Sequence, residues 1–215
     1  NKTDLLWVQT IGPIGWVAIF LAKLSKKPIV AYTHSIESEL VSKSIKKNHI
    51  LQRVIYSTVK AFSRLCYNRC DLLIVPSLDT AETLSWQKIK TKKAVVHMGI
   101  DTDKFNQPIN KRLAKKKLGL SNSIVIGFTG RMGREKDLFT LYRAFLRIHK
   151  KYPINLLIVG GGLQNIKKYL QTKKNVKVIG PVSEISKYLH AMDIFVMPSL
   201  TETSSLATME AMSTG

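Results

Sequence analysis

Short apolar runs recur along this chain and decide what it can fold into: LLWV (5–8), PIVAY (28–32), DLLIVPS (71–77), AVVHMG (94–99), IVIGFTG (124–130), LLIVGGG (156–162), VKVIG (176–180) and DIFVMPS (193–199). None alternates strictly between apolar and polar residues, which is the pattern of strands covered on both faces, as in a parallel sheet. Between the runs lie helical segments. In DLFTLYRAFLRIHKKY, Leu138, Leu141, Phe145 and Ile148 fall at three- and four-residue spacing and predict an amphipathic helix. Gly161, Gly162 and Pro181 punctuate strand ends. Strand and helix alternate, so the expected class is α/β.

Two stretches resemble one another. CDLLIVPSLDTAETL (70–84) and MDIFVMPSLTETSSL (192–206) share an Asp, an apolar strand, Pro-Ser-Leu and a polar helix start at a constant offset, which favours two similarly built halves. The polar, basic stretch 106–123, with Pro108 and Gly119, holds few strand formers and is the expected boundary. Residues 1–107 then form one domain, 108–121 a linker and 122–215 a second domain.

Composition narrows the partners. The chain has 215 residues, 45% of them hydrophobic, so it buries a core, and its net charge of +20 predicts anionic partners: nucleic acid, acidic lipid headgroups or phosphate-bearing small molecules. No nucleic-acid motif is present and the aromatics are not interleaved with the basic runs, so nucleic acid is not expected. Cys66 and Cys70 offer no second pair for a metal and no secreted framework, and read as reduced core thiols. The apolar stretch 11–22 is too short to span a bilayer and is bounded by Lys23, which predicts a buried helix. With no signal peptide pattern at the start, a cytoplasmic setting is expected.

In open parallel sheets, ligands bind beyond the carboxyl ends of the strands. Four stretches present unusual residues there. FTGRMGREKD places Gly130, Arg131, Gly133 and Lys136 after a strand, which suits a diphosphate, although a solvated basic loop has the same composition. VGGGLQ suits a phosphate cradle or a plain tight turn, and lacks the P-loop pattern. AYTHSIE ends a strand with His34, a candidate sugar contact, acid or base, or a structural histidine. In PSLTETSSLATMEAM, Thr203, Ser204 or Ser205 caps a helix, with Glu202 at its mouth and Glu210 inside it. On a single helix the two acids would be about 80° apart, a poor pair. They read as separate contacts on one elongated ligand, with helix-start amides between them as an anion site, or else as two exposed helix acids.

These residues together resemble a known family. GRMGREKDLFTLYRAF, LLIVGGG, VKVIGPV, HAMDIFVMPSLTETSSLATMEAMSTG, VPSLDTAETL and VVHMGIDTDKF look like the retaining, nucleotide-sugar-dependent glycosyltransferases of family 4, in order along nearly the whole chain. Glu202 and Glu210 match that family's E-x7-E signature. The resemblance implies the GT-B fold, two Rossmann-like parallel-sheet domains, here both incomplete. It implies that Arg131 and Lys136 neutralise the donor diphosphate beside Gly130, that Glu210 binds the ribose hydroxyls, and that the backbone near Val182 contacts the base. It places Ser204, Ser205 and Leu206 at the donor phosphate, and Glu202 and His34 beside the donor sugar. Front-face attack, with the leaving phosphate helping to deprotonate the acceptor, is the mechanism the family implies. No cofactor and no metal are expected.

The departures are specific. Ser204 and Ser205 stand where the family has an aromatic or apolar residue and then Gly, and Met98 stands where Asn is common. The first Gly-rich βα unit and the strands after Gly215 are not in the sequence, so an internal fragment with little activity of its own is expected. Residues 40–70 carry Lys43, Lys46, Lys47, Arg53, Lys60, Arg64 and Arg69 and no acid, with Leu51, Ile55, Val59, Phe62 and Cys66 at helical spacing. That is a basic amphipathic helix, suited to an anionic membrane surface on the inner face of the cell membrane or to packing on the sheet. The expected acceptor is a membrane lipid or lipid-linked glycan. A non-catalytic nucleotide-sugar-binding protein is the alternative, and a basic nucleic-acid module a more distant one.

Overall fold

A computed structural model describes residues 3–45, 49–120 and 123–215. The chain divides into two compact units, Asn1–Met98 with Thr201–Ser204, and Gly99–Leu200 with Ser205–Gly215.

The first unit runs β1 (Leu6–Val8), α1 (Pro13–Leu24), β2 (Ile29–Tyr32), α2 (Glu37–Ser44), α3 (His49–Tyr67), β3 (Leu72–Val75), α4 (Leu78–Trp86) and β4 (Lys93–Val95). The strands are parallel in the order β1-β2-β3-β4, with Leu6 opposite Ile29, Val30 opposite Leu72 and Leu73 opposite Lys93. Ile29, Ala31, Leu73 and Val75 are buried with Val8, Ile19, Cys66 and Tyr67, while Val30, Tyr32, Leu72 and Ile74 are half-buried. Two-sided burial is thus only partial in this sheet. Nor is α1 the buried helix that its composition predicts: only Gly15 and Ile19 are buried, and Ile14, Val17, Leu21 and Leu24 are exposed. A helix apolar on all sides does not reveal which side will pack.

The second unit runs α5 (Lys111–Lys117), β5 (Ile124–Thr129), a 3-10 turn (Arg134–Lys136), α6 (Leu138–His149), β6 (Ile154–Val159), α7 (Gln164–Gln171), β7 (Val176–Ile179), α8 (Ser186–Leu189), β8 (Ile194–Phe195) and α9 (Leu206–Ser213). Its parallel sheet has the order β7-β6-β5-β8. Here both faces are covered. Along β6, Ile154, Leu156 and Ile158 pack with Phe128, Leu141 and Phe145, while Leu157 and Val159 pack with Val125, Leu189 and Met192. Met192 packs directly over Gly127 on that second face, where a Cβ would lie 2.0 Å from the Met192 sulfur.

Phe105 and Leu120 belong to this second core. That places the division between the units at Met98/Gly99, ahead of the expected linker, and the stretch 108–121 carries α5, capped by the Asn110 side chain accepting from the Leu113 N–H at 3.0 Å. Residues 121 and 122 lie outside the described ones.

The internal similarity has a physical basis. Asp71, just before β3, accepts from the Ile29 N–H at 2.8 Å and from Lys23 at 3.3 Å. Asp193, just before β8, accepts from the Val125 N–H at 2.8 Å and from Lys115. Each carboxylate ties the start of its own strand to the neighbouring strand. After Pro-Ser the halves diverge: α4 starts at Leu78, capped by Ser77, whereas α9 waits until Leu206 and leaves Leu200–Ser205 as a loop. That loop carries Glu202.

Residues 40–70 form two helices rather than one, the end of α2 and then α3, and Lys46 and Lys47 lie outside the described residues. On α3, Cys66 is buried, Ile55 and Val59 are half-buried, and Ile50, Leu51, Val54, Phe62 and Leu65 are exposed. Both cysteines are free and buried, and burial pushes the thiols up to about 11 (Cys66) and about 12 (Cys70). Among the described residues no helix is long and apolar enough to cross a membrane.

Candidate active site

In the second unit, β5 delivers the chain at its carboxyl end into Gly130, Arg131, Met132 and Gly133. Gly160 and Gly162 take φ of 140° and 144°; a Cβ on Gly160 would lie 2.0 Å from the Gly130 carbonyl oxygen, and one on Gly162 2.6 Å from that of Met132. The Met132 N–H donates to the Gly161 carbonyl at 2.6 Å, and the Leu163 N–H to the Met132 carbonyl at 3.0 Å. Gly160 and Gly162 therefore buttress the 130–133 backbone at a distance only glycine permits, and this close approach accounts for these two glycines without a phosphate.

Arg131 is held by Glu135, whose Oε1 accepts from the guanidinium at 2.7 Å. Glu135 is 3% exposed, and Gly133 leaves it the space, since a Cβ there would stand 2.2 Å from both carboxylate oxygens. The turn ends at Asp137, in the left-handed region at φ 41°, whose side chain caps α6 by accepting from the Thr140 N–H at 3.4 Å. Lys136 sits in that turn. The Leu200 N–H donates to the Glu135 carbonyl at 2.8 Å, tying the segment after β8 to the same turn. Glu135 was not among the residues the sequence pointed to, although an acid four residues after Arg131 and beside Lys136 was a signal.

At α9, Ser205 is the cap: its hydroxyl oxygen accepts from the Thr208 N–H at 3.2 Å. One of the two departing serines thus has a structural task. The first-turn amides of Leu206 and Ala207 are those that helix geometry leaves without an intrahelical acceptor. Glu210 is half-buried on α9, and desolvation raises its pKa, opposed by the charge of Lys104. Val182 is half-buried beside the second-unit core.

In the first unit, His34 follows β2, exposed, with its ring 4.5 Å from that of Tyr32. The Thr203 hydroxyl donates to the His34 carbonyl at 2.8 Å, and Ser77 Oγ donates to the Thr203 carbonyl at 3.2 Å. The Thr201 hydroxyl donates to Glu39 Oε2 at 3.2 Å. Glu202 is exposed between these two anchored threonines, with Ser204 next along. The structure thus brings His34, Glu202 and Ser204 into one unit and Gly130, Arg131, Lys136, Val182, Ser205, Leu206 and Glu210 into the other.

Behind His34 lies a pair that sequence reasoning missed. Tyr67, 1% exposed on α3, donates to Glu37 Oε1 at 2.5 Å at the start of α2. Burial raises the Glu37 pKa, with the Tyr67 hydrogen bond opposing it. Glu37 is separated from Tyr67 by 30 residues in the chain, so no local pattern announces it.

The pattern of Glycosyltransferase Family 4 matches residues 1–104, and that of Glycosyl transferases group 1 matches residues 123–215. Alpha-monoglucosyldiacylglycerol synthase of Streptococcus pneumoniae is 27% identical over 100% of this chain and 51% of its own. The UDP-Gal:alpha-D-GlcNAc-diphosphoundecaprenol alpha-1,3-galactosyltransferase of Escherichia coli is 31% identical over 100% of this chain and 57% of its own. The chain spans about half the length of these relatives. Anabaena Alr3699/HepE in complex with UDP superposes with a TM-score of 0.74 at 17% identity, covering 99% of this chain and 58% of that one. Sucrose-phosphate synthase from Thermosynechococcus elongatus does so with 0.75 at 19%, covering 97% and 53%. These structures share the fold, two parallel-sheet units of GT-B type, and with the two family patterns they place the chain: it belongs to the group 1, family 4 glycosyltransferases.

Proposed function

We propose that this chain supplies the donor- and acceptor-side portions of a retaining glycosyltransferase that moves a hexose from a nucleotide-sugar to a membrane lipid or lipid-linked glycan. The observation that carries the reading is in the second unit, where Arg131, fixed by buried Glu135 at the carboxyl end of β5, shares a unit with the capped start of α9 and half-buried Glu210. Arg131 and Lys136 neutralise the donor diphosphate, and the first amides of α9 add their dipole. Glu210 accepts from the ribose hydroxyls. Hydrogen bonds to its ionised form oppose the desolvation, so the donor draws the carboxyl pKa down as it binds. The family resemblance assigns His34 and Glu202 to the sugar, and the departing phosphate takes the acceptor proton as the new glycosidic bond forms on the face the phosphate leaves.

A uridine nucleotide is the donor of choice, because Anabaena Alr3699/HepE is solved with UDP and UDP-glucose. The lipid acceptor rests on the diacylglycerol and diphosphoundecaprenol named for the two relatives and on α3, which exposes Ile50, Leu51, Val54 and Leu65 along a helix bearing Arg53, Lys60 and Arg64. Such a helix lies in an anionic interface. The test is transfer from UDP-hexose to lipid by this sequence extended to the length of its relatives, with the product anomer read by NMR. An α-linked product from an α-linked donor supports the reading. An inverted product refutes retention, and donor binding without transfer assigns a binding protein instead.

A further inference from the structure

The second unit contains a cavity of about 480 Å³ between the segment 106–110, α5 and α8. This is within the range of small-molecule sites, roughly 300–1,000 Å³. It lies at the amino edge of the sheet: Lys115 of α5 bonds the Ser123 carbonyl just before β5 at 3.0 Å and Asp193 just before β8. The donor residues sit at the opposite, carboxyl edge, so the cavity is a separate site.

Its wall is apolar. Ile109, Leu113, Leu118 and Tyr188 line it, and Leu118 and Tyr188 continue into the core that holds Phe105. Ile109 is fully exposed, at 106%, and Leu113 is 49% exposed, an arrangement that leaves apolar surface in water unless something covers it. The charged members are of one sign. Lys117 and Lys187 line the cavity and no carboxylate does, although Lys187 also pairs with Glu184 nearby, and Asn106, Gln107, Asn110 and His190 complete the polar lining. His190 hydrogen-bonds the Asn106 carbonyl at 2.9 Å, which fixes the 106–110 segment against α8 and holds the cavity open. The helix that forms one side, KRLAKKK, adds Lys111, Arg112, Lys115 and Lys116 and has no acid.

We propose that this cavity binds a single-chain anionic amphiphile, an alkyl or prenyl phosphate, with its chain along Ile109, Leu113 and Leu118 and its head at Lys117. An apolar wall selects against a bare anion, and two lysines with no carboxylate in the lining select against a neutral or cationic chain.

The probe is dodecyl phosphate below its micellar concentration, titrated into the 215-residue chain with UDP at saturation and followed by calorimetry and by amide NMR shifts. One saturable site is expected, with shifts centred on α5 and α8 and affinity at least tenfold weaker in both Ile109→Glu and Leu113→Glu. Ile109 has no burial to lose, so that variant retains its fold. The proposal is overturned if either inorganic phosphate or dodecyltrimethylammonium binds this site as tightly, if both variants bind as the parent does, or if UDP displaces the probe.

Discussion

Replacing Gly160 by Ala separates a backbone buttress from a phosphate cradle. The added Cβ would lie 2.0 Å from the Gly130 carbonyl oxygen, a backbone atom that cannot swing away, at a φ of 140° that side chains rarely adopt. Backbone strain of that kind costs roughly 1–3 kcal/mol, and forcing atoms into a packed site about 1–3 more. The expected loss is about 4 kcal/mol, a large fraction of the typical 5–15 kcal/mol total. Gly161→Ala is the matched control: its Cβ meets Pro181 Cγ at 3.0 Å and φ is not positive, so about 1 kcal/mol or less is expected. Trp7, Trp16 and Trp86 all lie in the first unit, so tryptophan fluorescence reads that unit. Hydrogen exchange of β5 and β6 amides reads the second. Gly160→Ala should collapse β5 and β6 protection and move the fluorescence transition less. If protection survives while UDP binding disappears, the VGGG backbone holds the phosphate and the buttress is wrong.

Other perturbations test separate links. Glu37 has a raised pKa, so its protonated form suits the fold; its contribution is fully present below the ordinary glutamate value of 4.5 and is lost as pH rises through the raised pKa. Urea midpoints by tryptophan fluorescence should therefore fall across that window in the parent, and the fall should be smaller in Glu37→Gln; equal slopes would remove Glu37 as the cause. Asp193→Ala leaves the Val125 N–H without its acceptor and should destabilise the second unit by about 1–3 kcal/mol, read by exchange of β5 amides. Glu135→Gln should leave stability within about 2 kcal/mol, since Arg131 is 67% exposed, yet weaken UDP at least tenfold because the guanidinium loses its charged tether. Flotation with anionic vesicles should carry the chain, and neutral vesicles should not; equal flotation removes the α3 surface from the account.

Strand positions were legible because each apolar run is short and uninterrupted, and all eight became parallel strands. The paired Asp-strand-Pro-Ser segments were legible as a repeat, and their cause, a carboxylate tying two strand starts, needed only Asp71 and Asp193 in fixed places. What stayed hidden depended on contacts made across the chain. The division at Met98/Gly99 follows from Phe105 entering the second core, which the polar composition around it masks. Glu135 reads as one more charge in a basic loop until Gly133 makes room for its carboxylate beside Arg131. In the 201–204 loop the sequence points to Glu202, but the task of Thr201 and Thr203 shows only once they are seen bonded to Glu39 and the His34 carbonyl.

Calorimetry of UDP binding to this chain, from pH 4 to 8, tests the donor site most directly. The account predicts one site that Arg131→Ala and Glu210→Gln each weaken at least tenfold, with affinity in the parent falling as pH drops through the raised Glu210 pKa and no such fall in Glu210→Gln. Absence of UDP binding, or binding that neither substitution alters, would contradict it.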